Sequence, residues 1–396
     1  MGEDFLAAGS RTALVGKAHF QPLESTDEFS SLESYPILQD LDFWRNFDQK
    51  FYGFEHVELA RNHADEAHVG QHYAIWMEEN NCMNWRDYFR PPTGNNKNQR
   101  YTWSIPERYH YNTWIAERTN ALIDQYQQND DNFFLWASFF DPHPPYLVPE
   151  PWDKMYNPDK LTVPEIFEGE HDHNPPHFQM TQQSNPDFSA WRESGKGIHG
   201  CHSHLHDQNQ LAKNIAIYYG MISMMDYYIG KILDCLDNSG LTENTLVVFT
   251  SDNGGFSGVA DNRPLRAGKG YLYEGGIRVP LMVRWPGRVR AGSTCDTPVI
   301  SMDYYPTILE ALGLSRPAGE APDGESLLPL LEEKDGFKEK PLYFHFPNFS
   351  WHMKNRLGGA VRDGKYKLIE WYDDGSVELY DLEDDIGEKK LSLIHI

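Results

Sequence analysis

Asp252 and Asn253 are the residues whose types and position most directly suggest metal binding. They follow the apolar, β-branched run 246–250, which is typical of a buried parallel strand, and two glycines come after them. Ligands of open α/β sheets bind beyond the carboxyl ends of the strands, and a carboxylate beside a carboxamide suits Ca²⁺ or Mg²⁺. The run Asp-Asn-Gly-Gly would also form an Asx turn that leaves a strand, so this segment alone leaves both interpretations open.

Two further strand ends carry cationic side chains. Lys17 and His19 follow the run 11–16, and strand alternation predicts that both side chains point to the same face. Lys269 lies between two glycines, ahead of the apolar run 279–285, which also predicts a strand. Taken singly, Lys17 could be a solvated lysine and His19 a hydrogen-bonded core histidine.

A fourth strand end presents a histidine on a restricted backbone. His143 follows the apolar run 132–140 and lies between Pro142 and Pro144, which fix their own φ angles and favour extended backbone before them. A core histidine is again the plainer interpretation of this residue alone. Four polar strand ends with cationic or metal-type residues in one chain are nevertheless much less expected by chance.

In this order, the segments resemble type I sulfatases of the alkaline-phosphatase-like superfamily. The resemblance covers nearly the whole chain and rests on Gly-Lys-x-His at 16–19, Asp-Pro-His-Pro-Pro at 141–145, Thr-Ser-Asp-Asn-Gly-Gly at 250–255, Gly-Lys-Gly at 268–270, Tyr-Glu-Gly-Gly-Ile-Arg-Val-Pro at 273–280, Asp-Gly-Glu-Ser-Leu-Leu-Pro-Leu-Leu at 323–331, Ala-Val-Arg-Asp-Gly-Lys-Tyr-Lys-Leu-Ile at 360–369 and Glu-Leu-Tyr-Asp-Leu at 378–382. It implies an α/β fold with a doubly wound, mostly parallel sheet flanked by helices, followed by a small antiparallel C-terminal subdomain.

The resemblance also implies a chemistry, the hydrolysis of a sulfuric ester by a formylglycine nucleophile. It gives Asp252 and Asn253 to a divalent cation, most often Ca²⁺ in this family, with Mg²⁺ as the alternative. Because Ca²⁺ takes roughly 6–8 oxygen ligands, the remaining ligands would come from the family's Asp-Asp pair, the formylglycine and the substrate.

The anionic part of the substrate has its own implied residues. By resemblance, the sulfate oxygens are bound by Lys17, His143 and Lys269, with Lys269 near the leaving-group oxygen. His19 would orient the formylglycine hydrate and help to release sulfate. Cationic groups of this kind stabilise the charge that develops on a sulfuryl group in the transition state.

One departure from the family pattern concerns the nucleophile. The Asp-Asp pair and the Cys/Ser-x-Pro/Ala-x-Arg motif, whose first residue becomes formylglycine, do not occur in the sequence, and none of the four cysteines fits the motif. We therefore expect a sulfatase truncated at its amino terminus and inactive as it stands. Residues 1–335 are expected to form the catalytic domain without its first strand, and residues 336–396 a small, also truncated, antiparallel subdomain.

Composition sets limits on partners. The formal net charge of −24 over 396 residues argues against nucleic acid or an anionic membrane surface as a partner. No apolar run reaches the roughly 18 residues of a membrane-spanning helix, and four widely spaced cysteines indicate no disulfide framework. Similar enzymes are usually periplasmic, secreted or lysosomal, and that location is expected for the full-length protein.

Periodicity and turn residues outline the elements. Apolar spacing predicts helices over 210–238, 106–127 and 303–312, and alternation between turn signals predicts C-terminal strands at 342–346, 359–362, 365–370 and 377–380. Hairpin turns are expected at the Asp-Gly pairs 363–364 and 374–375.

The segment 150–208 is harder to interpret. It is rich in proline, glycine and histidine, with His171, His173, His177, His199, His202, His204 and His206. A zinc-type site is one interpretation, although no ligand spacing fits a helix or a hairpin. A surface insertion over the mouth of the active site is the other.

Three functions remain open from the sequence. The first is a sulfatase that acts on a sulfated carbohydrate or another sulfate ester. The second is a phosphodiesterase or phosphonate hydrolase of the same superfamily. The third is a non-catalytic binding protein descended from a sulfatase.

Overall fold

The structure is a computed structural model that describes residues 2–22, 25–61, 69–90, 100–143, 146–165, 167–175, 178–179, 183, 208–255, 261–314, 323–347 and 356–392. Two compact units make up the chain. The first consists of Met1–Val163 and Asp207–Thr242, and the second of Pro164–His206 and Glu243–Ile396. The predicted domain boundary at 335–336 stays a prediction.

The first unit contains five strands and five α-helices among its described residues. The strands are β1 (Arg11–Gly16), β2 (His56–Leu59), β3 (Arg100–Trp103), β4 (Phe133–Ser138) and β5 (Tyr146–Pro149). The helices are α1 (Gly2–Ala7), α2 (Leu41–Arg45), α3 (Gln71–Glu79), α4 (Tyr111–Asn129) and α5 (Gln208–Asn238).

A parallel sheet of order β2-β1-β4 forms the centre of the first unit. Ala13, Leu14 and Val15 of the middle strand are fully buried, as expected for a strand covered on both faces. A second pair, β3 with β5, is also parallel. The carboxyl ends of β1 and β4 therefore lie at the same edge of the sheet, where the predicted site residues of this unit follow them.

The two long helices confirm the periodicity argument. The α5 helix has an apolar residue every three or four positions and runs over 31 residues, close to the predicted 210–238. The predicted helix over 106–127 is divided, because a 3₁₀ turn at Glu107–Tyr109 precedes α4. The His110 side chain accepts a hydrogen bond from the Asn112 amide and so caps α4 at its start.

In the second unit, the described strands are β6 (Val247–Thr250), β7 (Leu281–Arg284), β8 (Leu342–Phe346), β9 (Gly358–Asp363), β10 (Tyr366–Trp371) and β11 (Val377–Asp381). The described helices are α6 (Glu274–Ile277), α7 (Tyr304–Ala311) and α8 (Leu328–Leu331). The helix predicted over 303–312 is thus α7, and the four predicted C-terminal strands are β8 to β11.

Strand β6 differs from its prediction as a buried parallel strand. Among the described residues it pairs only with β7, and this pairing is antiparallel. Its side chains alternate between half-buried and exposed, with Val248 39% exposed. A run of β-branched residues indicates a strand, but it does not indicate the direction of the partner strand.

The C-terminal sheet is antiparallel, as predicted, with order β11-β10-β9-β8. Gly364 and Gly375, with φ of +55° and +68°, occupy the Asp-Gly turns on either side of β10. Ile369 and Trp371 are buried in the core of this unit. None of the helices in the described ranges combines the length and the apolarity needed to cross a membrane.

Candidate active site

Lys17 directly follows β1 and continues its pairing with β4. Its backbone amide donates a hydrogen bond to the carbonyl oxygen of Ser138 at 3.2 Å, one residue beyond the last strand pair. A Cβ on Gly16 would lie 2.0 Å from the same carbonyl oxygen, and Gly16 has φ of +110°. Glycine is therefore required at this position for the close approach that places Lys17 at the sheet edge.

The backbone beyond Lys17 leaves the strand. His19 has φ of +58°, in the left-handed region, so strand alternation does not set the directions of Lys17 and His19. The argument that both side chains share a strand face is therefore wrong. Instead, the backbone amide of His19 donates a hydrogen bond of 2.6 Å to Oε1 of the buried Glu33.

His143 ends the segment that follows β4, at the same edge of the parallel sheet. Its amide donates to the carbonyl oxygen of Phe140 at 3.0 Å. Two residues earlier, the buried Asp141 accepts hydrogen bonds from the Tyr111 hydroxyl and, at 2.8 Å, from Nδ2 of Asn112. The turn before His143 is thereby tied to the start of α4.

The carboxyl group of Asp141 has an altered acidity. Burial raises its pKa from 3.8 to about 7, although the hydrogen bonds from Tyr111 and Asn112 act in the opposite direction. The pKa of the neighbouring buried His110 is lowered to about 3, also because of burial. Charged forms of both groups are therefore disfavoured.

In the second unit, Asp252 and Asn253 follow β6 in a tight turn. The Ser251 hydroxyl donates to the carbonyl oxygen of Asn253 at 3.0 Å, and the Gly254 amide donates to the carbonyl oxygen of Gly276 at 3.0 Å. These bonds fix the backbone that carries the two predicted metal ligands.

Lys269 is placed next to that turn by its own backbone. Its amide donates to the carbonyl oxygen of Gly255 at 3.0 Å. Nδ2 of Asn262 donates to the same oxygen at 3.0 Å and to the carbonyl oxygen of Ala267 at 2.9 Å. The structure therefore brings Asp252, Asn253 and Lys269 together within one hydrogen-bonded pair of loops.

Glycines make this pairing sterically feasible. A Cβ on Gly254 would lie 1.8 Å from the carbonyl oxygen of Gly275, and one on Gly275 would lie 2.3 Å from that of Arg266. Neither approach is open to any other residue without backbone movement. Gly254 is thus explained by contact between the two loops, and Gly275 by its close approach to the preceding part of the Lys269 loop.

A buried ion cluster lies directly behind the Lys269 loop. Nζ of Lys367, on β10, lies 3.1 Å from Oε1 of Glu274 and 2.8 Å from Oε1 of Glu388, and these three side chains are at most 2% exposed. Oε2 of Glu388 accepts a hydrogen bond from the Glu274 amide at 2.7 Å. Burial raises the pKa of Glu388. The C-terminal sheet therefore supports the loop that carries Lys269.

The donor chemistry at the end of β6 fits part of a Ca²⁺ site. The Asp252 carboxylate is exposed and the Asn253 amide is half-buried, and both present hard oxygen atoms. A cluster of three or more His, Cys, Asp or Glu side chains able to hold a metal ion is not found among the residues that the structure describes. Since Ca²⁺ takes roughly 6–8 oxygens, Asp252 and Asn253 would be a partial ligand set.

The histidine-rich segment is only partly described. Nδ2 of Asn174 donates a hydrogen bond to Nδ1 of His171 at 3.2 Å. Burial lowers the pKa values of both His171 and His173. The remaining histidines of the zinc interpretation lie outside the described residues, namely His177, His199, His202, His204 and His206.

The predicted site residues thus form two groups. Lys17, His19 and His143 belong to the first unit, at the carboxyl edge of its parallel sheet. The second unit holds Asp252, Asn253 and Lys269. Sequence reasoning did not identify the side chains that hold these loops, which are Glu33, Tyr111, Asn112, Asn262, Glu274, Lys367 and Glu388. Of these, only Glu274 and Lys367 lie within motifs that carry the family resemblance, and the resemblance implied no role for either.

Comparison with family models places most of the chain in one match. The model described as Sulfatase matches residues 2–314. A second model, described as N-sulphoglucosamine sulphohydrolase, C-terminal, matches residues 267–393.

Three curated proteins show the extent of the similarity. A sulfatase of Formosa agariphila is 36% identical over 191 residues, which are 44% of this chain and 34% of that protein. Human steryl-sulfatase is 34% identical over 182 residues, 42% of this chain and 28% of that protein. An arylsulfatase of Clostridium perfringens is 26% identical over 404 residues, 98% of this chain and 72% of that protein. The chain thus spans 34% and 28% of the first two relatives.

Solved structures share the fold at low identity. A phosphonate monoester hydrolase from Silicibacter pomeroyi has a TM-score of 0.66 at 20% identity and covers 98% of this chain and 74% of that chain. A protein in complex with k-i-k-neocarrahexaose gives 0.62 at 21%, covering 98% and 69%. A protein in complex with its substrate D-glucosamine-2-N,6-O-disulfate gives 0.61 at 16%, covering 98% and 76%. The predicted α/β fold of the alkaline-phosphatase-like superfamily is confirmed.

Proposed function

Because this chain belongs to the sulfatase family, the type I sulfatases of the alkaline-phosphatase-like superfamily, we propose that it forms the substrate- and cation-binding part of a sulfuric-ester hydrolase. We further propose a sulfated carbohydrate as the substrate. The observation that carries the proposal is the hydrogen bond from the Lys269 amide to the Gly255 carbonyl oxygen. It joins a lysine suited to a sulfate oxygen to the turn with Asp252 and Asn253, which suit a divalent cation.

The cation in this proposal is Ca²⁺, with Mg²⁺ as the alternative. The carboxylate of Asp252 and the side-chain oxygen of Asn253 would hold it. When bound, such a cation polarises the sulfate and lowers the pKa of the attacking hydroxyl. The exposure of Asp252 leaves room for further oxygen ligands from the substrate and the nucleophile.

The protein's own side chains would act on the sulfate and on the proton. In the proposal, the ammonium groups of Lys17 and Lys269 and the imidazole of His143 donate hydrogen bonds to sulfate oxygens. They neutralise charge that grows as the ester bond breaks. His19 would orient the hydroxyl of the formylglycine hydrate and help to release sulfate.

The nucleophile is the component that these residues do not supply. The 396-residue sequence holds no Cys/Ser-x-Pro/Ala-x-Arg motif from which formylglycine could form. We therefore propose that the 396-residue chain alone turns over no aryl sulfate, and that the hydrolase needs a formylglycine from outside these residues.

The carbohydrate preference is supported by two structural neighbours. One was solved with k-i-k-neocarrahexaose and another with its substrate D-glucosamine-2-N,6-O-disulfate. With substrates of this class, we propose a periplasmic, secreted or lysosomal location for the natural protein. A second candidate reaction, hydrolysis of a phosphonate monoester, is favoured by the TM-score of 0.66 to the Silicibacter pomeroyi enzyme.

The deciding experiment compares esters in the natural protein that contains this chain. Values of kcat/KM would be measured for 4-nitrophenyl sulfate, a 4-nitrophenyl phosphonate monoester and a panel of sulfated oligosaccharides. We expect kcat/KM for a sulfate ester to exceed that for the phosphonate by at least about 10-fold. The reverse ratio would establish the phosphonate hydrolase. Binding of sulfated oligosaccharides without turnover of any ester would establish a non-catalytic binding protein.

Metal dependence is tested in the same preparation. Chelation with EDTA should abolish turnover, and Ca²⁺ or Mg²⁺ should restore it. Asp252→Ala should raise the cation concentration needed for half-restoration, whereas Asp335→Ala, at an exposed aspartate of the same unit, should leave it unchanged. Full activity after complete removal of divalent cations would contradict the proposed role of Asp252.

A further inference from the structure

The carboxylate of Glu33 binds three consecutive backbone amides. His19 donates to Oε1 at 2.6 Å, and Phe20 and Gln21 each donate to Oε2 at 2.8 Å. Glu33 is only 1% exposed, so water has little access to replace it. These bonds hold the loop that carries the Gly-Lys-x-His motif.

The loop needs this anion because of its backbone conformation. His19 has φ of +58°, which is uncommon for a residue with a side chain. This conformation turns the amides of His19, Phe20 and Gln21 toward one point and forms a concave site for an anion. Without an acceptor, three amide groups beside a buried side chain would lose their hydrogen-bond partner.

Glu33 is itself held by buried neighbours. The Ser31 hydroxyl accepts the Glu33 amide at 3.2 Å and donates to the Pro22 carbonyl oxygen at 2.6 Å. Gln21 in turn contacts the residue before Glu33, because its Oε1 accepts a hydrogen bond from the Leu32 amide at 2.6 Å. The carboxylate is therefore part of a hydrogen-bonded network, formed by Ser31, Leu32 and Glu33, that holds residues 19–22.

The other end of the loop is fixed by the parallel sheet. The Lys17 amide is bound to the Ser138 carbonyl oxygen at 3.2 Å, and the Phe20 ring packs 5.6 Å from the Trp136 ring. Only Ala18 separates the sheet-bound amide from the first amide bound by Glu33. The backbone at His19 is thus set from both sides.

We propose that Glu33 is a positioning residue for His19. Its carboxylate fixes the left-handed backbone at His19 and thereby the direction in which the imidazole leaves the sheet edge. This inference rests on the proposed function, because it gives Glu33 a purpose only if His19 acts in ester hydrolysis. Among the described residues, the Glu33 carboxylate accepts hydrogen bonds from backbone amides, and in this proposal it does not contact the ester.

The kinetic test is a double-mutant cycle in the natural protein. Glu33→Gln replaces one acceptor oxygen by an amide nitrogen that opposes the bound amides, and it should lower kcat for a sulfate ester about 10-fold to 100-fold with a smaller change in KM. In a His19→Ala background, the same substitution should lower kcat by less than about 2-fold. Equal loss in both backgrounds would overturn the inference.

Two further variants separate positioning from general damage. Glu33→Asp keeps the charge but retracts it by one methylene group, so its kcat should lie between those of the wild type and Glu33→Gln. Glu28→Gln changes an exposed carboxylate of the same segment and should leave kcat unchanged. A Glu33→Asp variant no better than Glu33→Gln would count against a role for the charge.

A second measurement does not depend on turnover. Hydrogen–deuterium exchange of the peptide 17–22 should accelerate at least about 10-fold in Glu33→Gln, with the α5 peptides unchanged. Unchanged exchange at 17–22 would overturn the inference. If exchange accelerates but the wild-type protein hydrolyses no ester, the structural role of Glu33 in holding this loop is supported. The proposed function and the catalytic purpose of Glu33 then both fail.

Discussion

The amide of Lys269 donates a hydrogen bond to the carbonyl oxygen of Gly255, 3.0 Å away, although the two residues belong to different loops. The bond places the lysine beside the turn that contains Asp252 and Asn253. The residues proposed for cation and sulfate binding in this unit are thereby held in two neighbouring loops. Substitutions that separate the loops should consequently affect activity even where they remove no polar side chain.

Gly254→Ala is the sharpest test of this loop contact. The added Cβ would lie 1.8 Å from the Gly275 carbonyl oxygen, which is backbone and cannot rotate away. We expect a loss of roughly 1–3 kcal/mol in the free energy of unfolding and a fall in kcat/KM of the natural protein of at least about 10-fold. Urea unfolding and steady-state kinetics on the same preparation measure the two effects.

The matched control for this substitution is Gly230→Ala in helix α5. Apart from its chain neighbours and the surrounding helix backbone, no heavy atom of the described residues lies within 4 Å of the added Cβ. Alanine also favours helix more than glycine does. This variant should gain about 0.5–1 kcal/mol in stability and keep its kcat/KM. Similar behaviour of both variants would contradict the steric argument for Gly254.

Lys367→Met should destabilise the second unit strongly. The substitution leaves the buried carboxylates of Glu274 and Glu388 without the ammonium group that lies within 3.1 Å of both. Removing one partner of a buried ion pair typically costs about 3–5 kcal/mol, and we expect a loss of that order in urea unfolding. Because Glu274 begins helix α6, directly after the loop that carries Lys269, kcat/KM should also fall.

The nearby Lys365 provides the comparison. Its Nζ pairs with Asp381 at 2.6 Å, but its side chain is 37% exposed. Exposed pairs contribute little because water screens them, so Lys365→Met should lower the free energy of unfolding far less than Lys367→Met does. A loss as large as that of Lys367→Met would indicate that removal of any lysine near β10, rather than burial of the ion pair, causes the effect.

Local patterns predicted most of the elements in this protein. The apolar spacing along α5 and the Asp-Gly turns beside β10 are set by residues a few positions apart, so the sequence contains their signal. The prediction that β6 is a parallel strand was wrong, because its partner β7 follows only after the whole Lys269 loop. Local alternation carries no information about such a distant pairing.

The side chains that hold the site loops were harder to predict for the same reason. Glu33 is one of several acidic residues in a serine-rich segment, and nothing in that composition shows that three amides would bind it. Lys367 lies on a strand, where a lysine is usually exposed, yet it is fully buried by carboxylates from two distant segments. The placement of the predicted Lys17, His19, His143 and Lys269 around one substrate stays a prediction.

Lys269→Ala tests the proposed sulfate contact directly. Loss of a cationic group that binds the developing negative charge should lower kcat of the natural protein about 100-fold or more, with little change in stability. Lys338→Ala removes an exposed lysine of the same unit and should leave kcat unchanged. Wild-type kcat in Lys269→Ala would remove this residue from the proposed site.

Asp141 should make the stability of the first unit depend on pH. Its folded-state pKa is raised to about 7 from 3.8, chiefly by burial, so the folded state binds a proton more tightly than the unfolded state does. The contribution is therefore fully present below about pH 4 and is lost as the pH rises through about 7. Between these limits, we expect the wild type to lose a few kcal/mol relative to Asp141→Asn, whose side chain does not ionise.

The measurement is urea unfolding at several pH values between 4 and 8, always taken as the difference between wild type and Asp141→Asn. Taking the difference removes the opposite effect of His72, whose pKa is lowered to about 4 by burial and which therefore destabilises the protein as the pH falls. The same substitution at the exposed Asp48 of this unit, Asp48→Asn, serves as the control. A pH-independent difference for Asp141→Asn would show that the Asp141 carboxyl group ionises normally beneath the His143 turn.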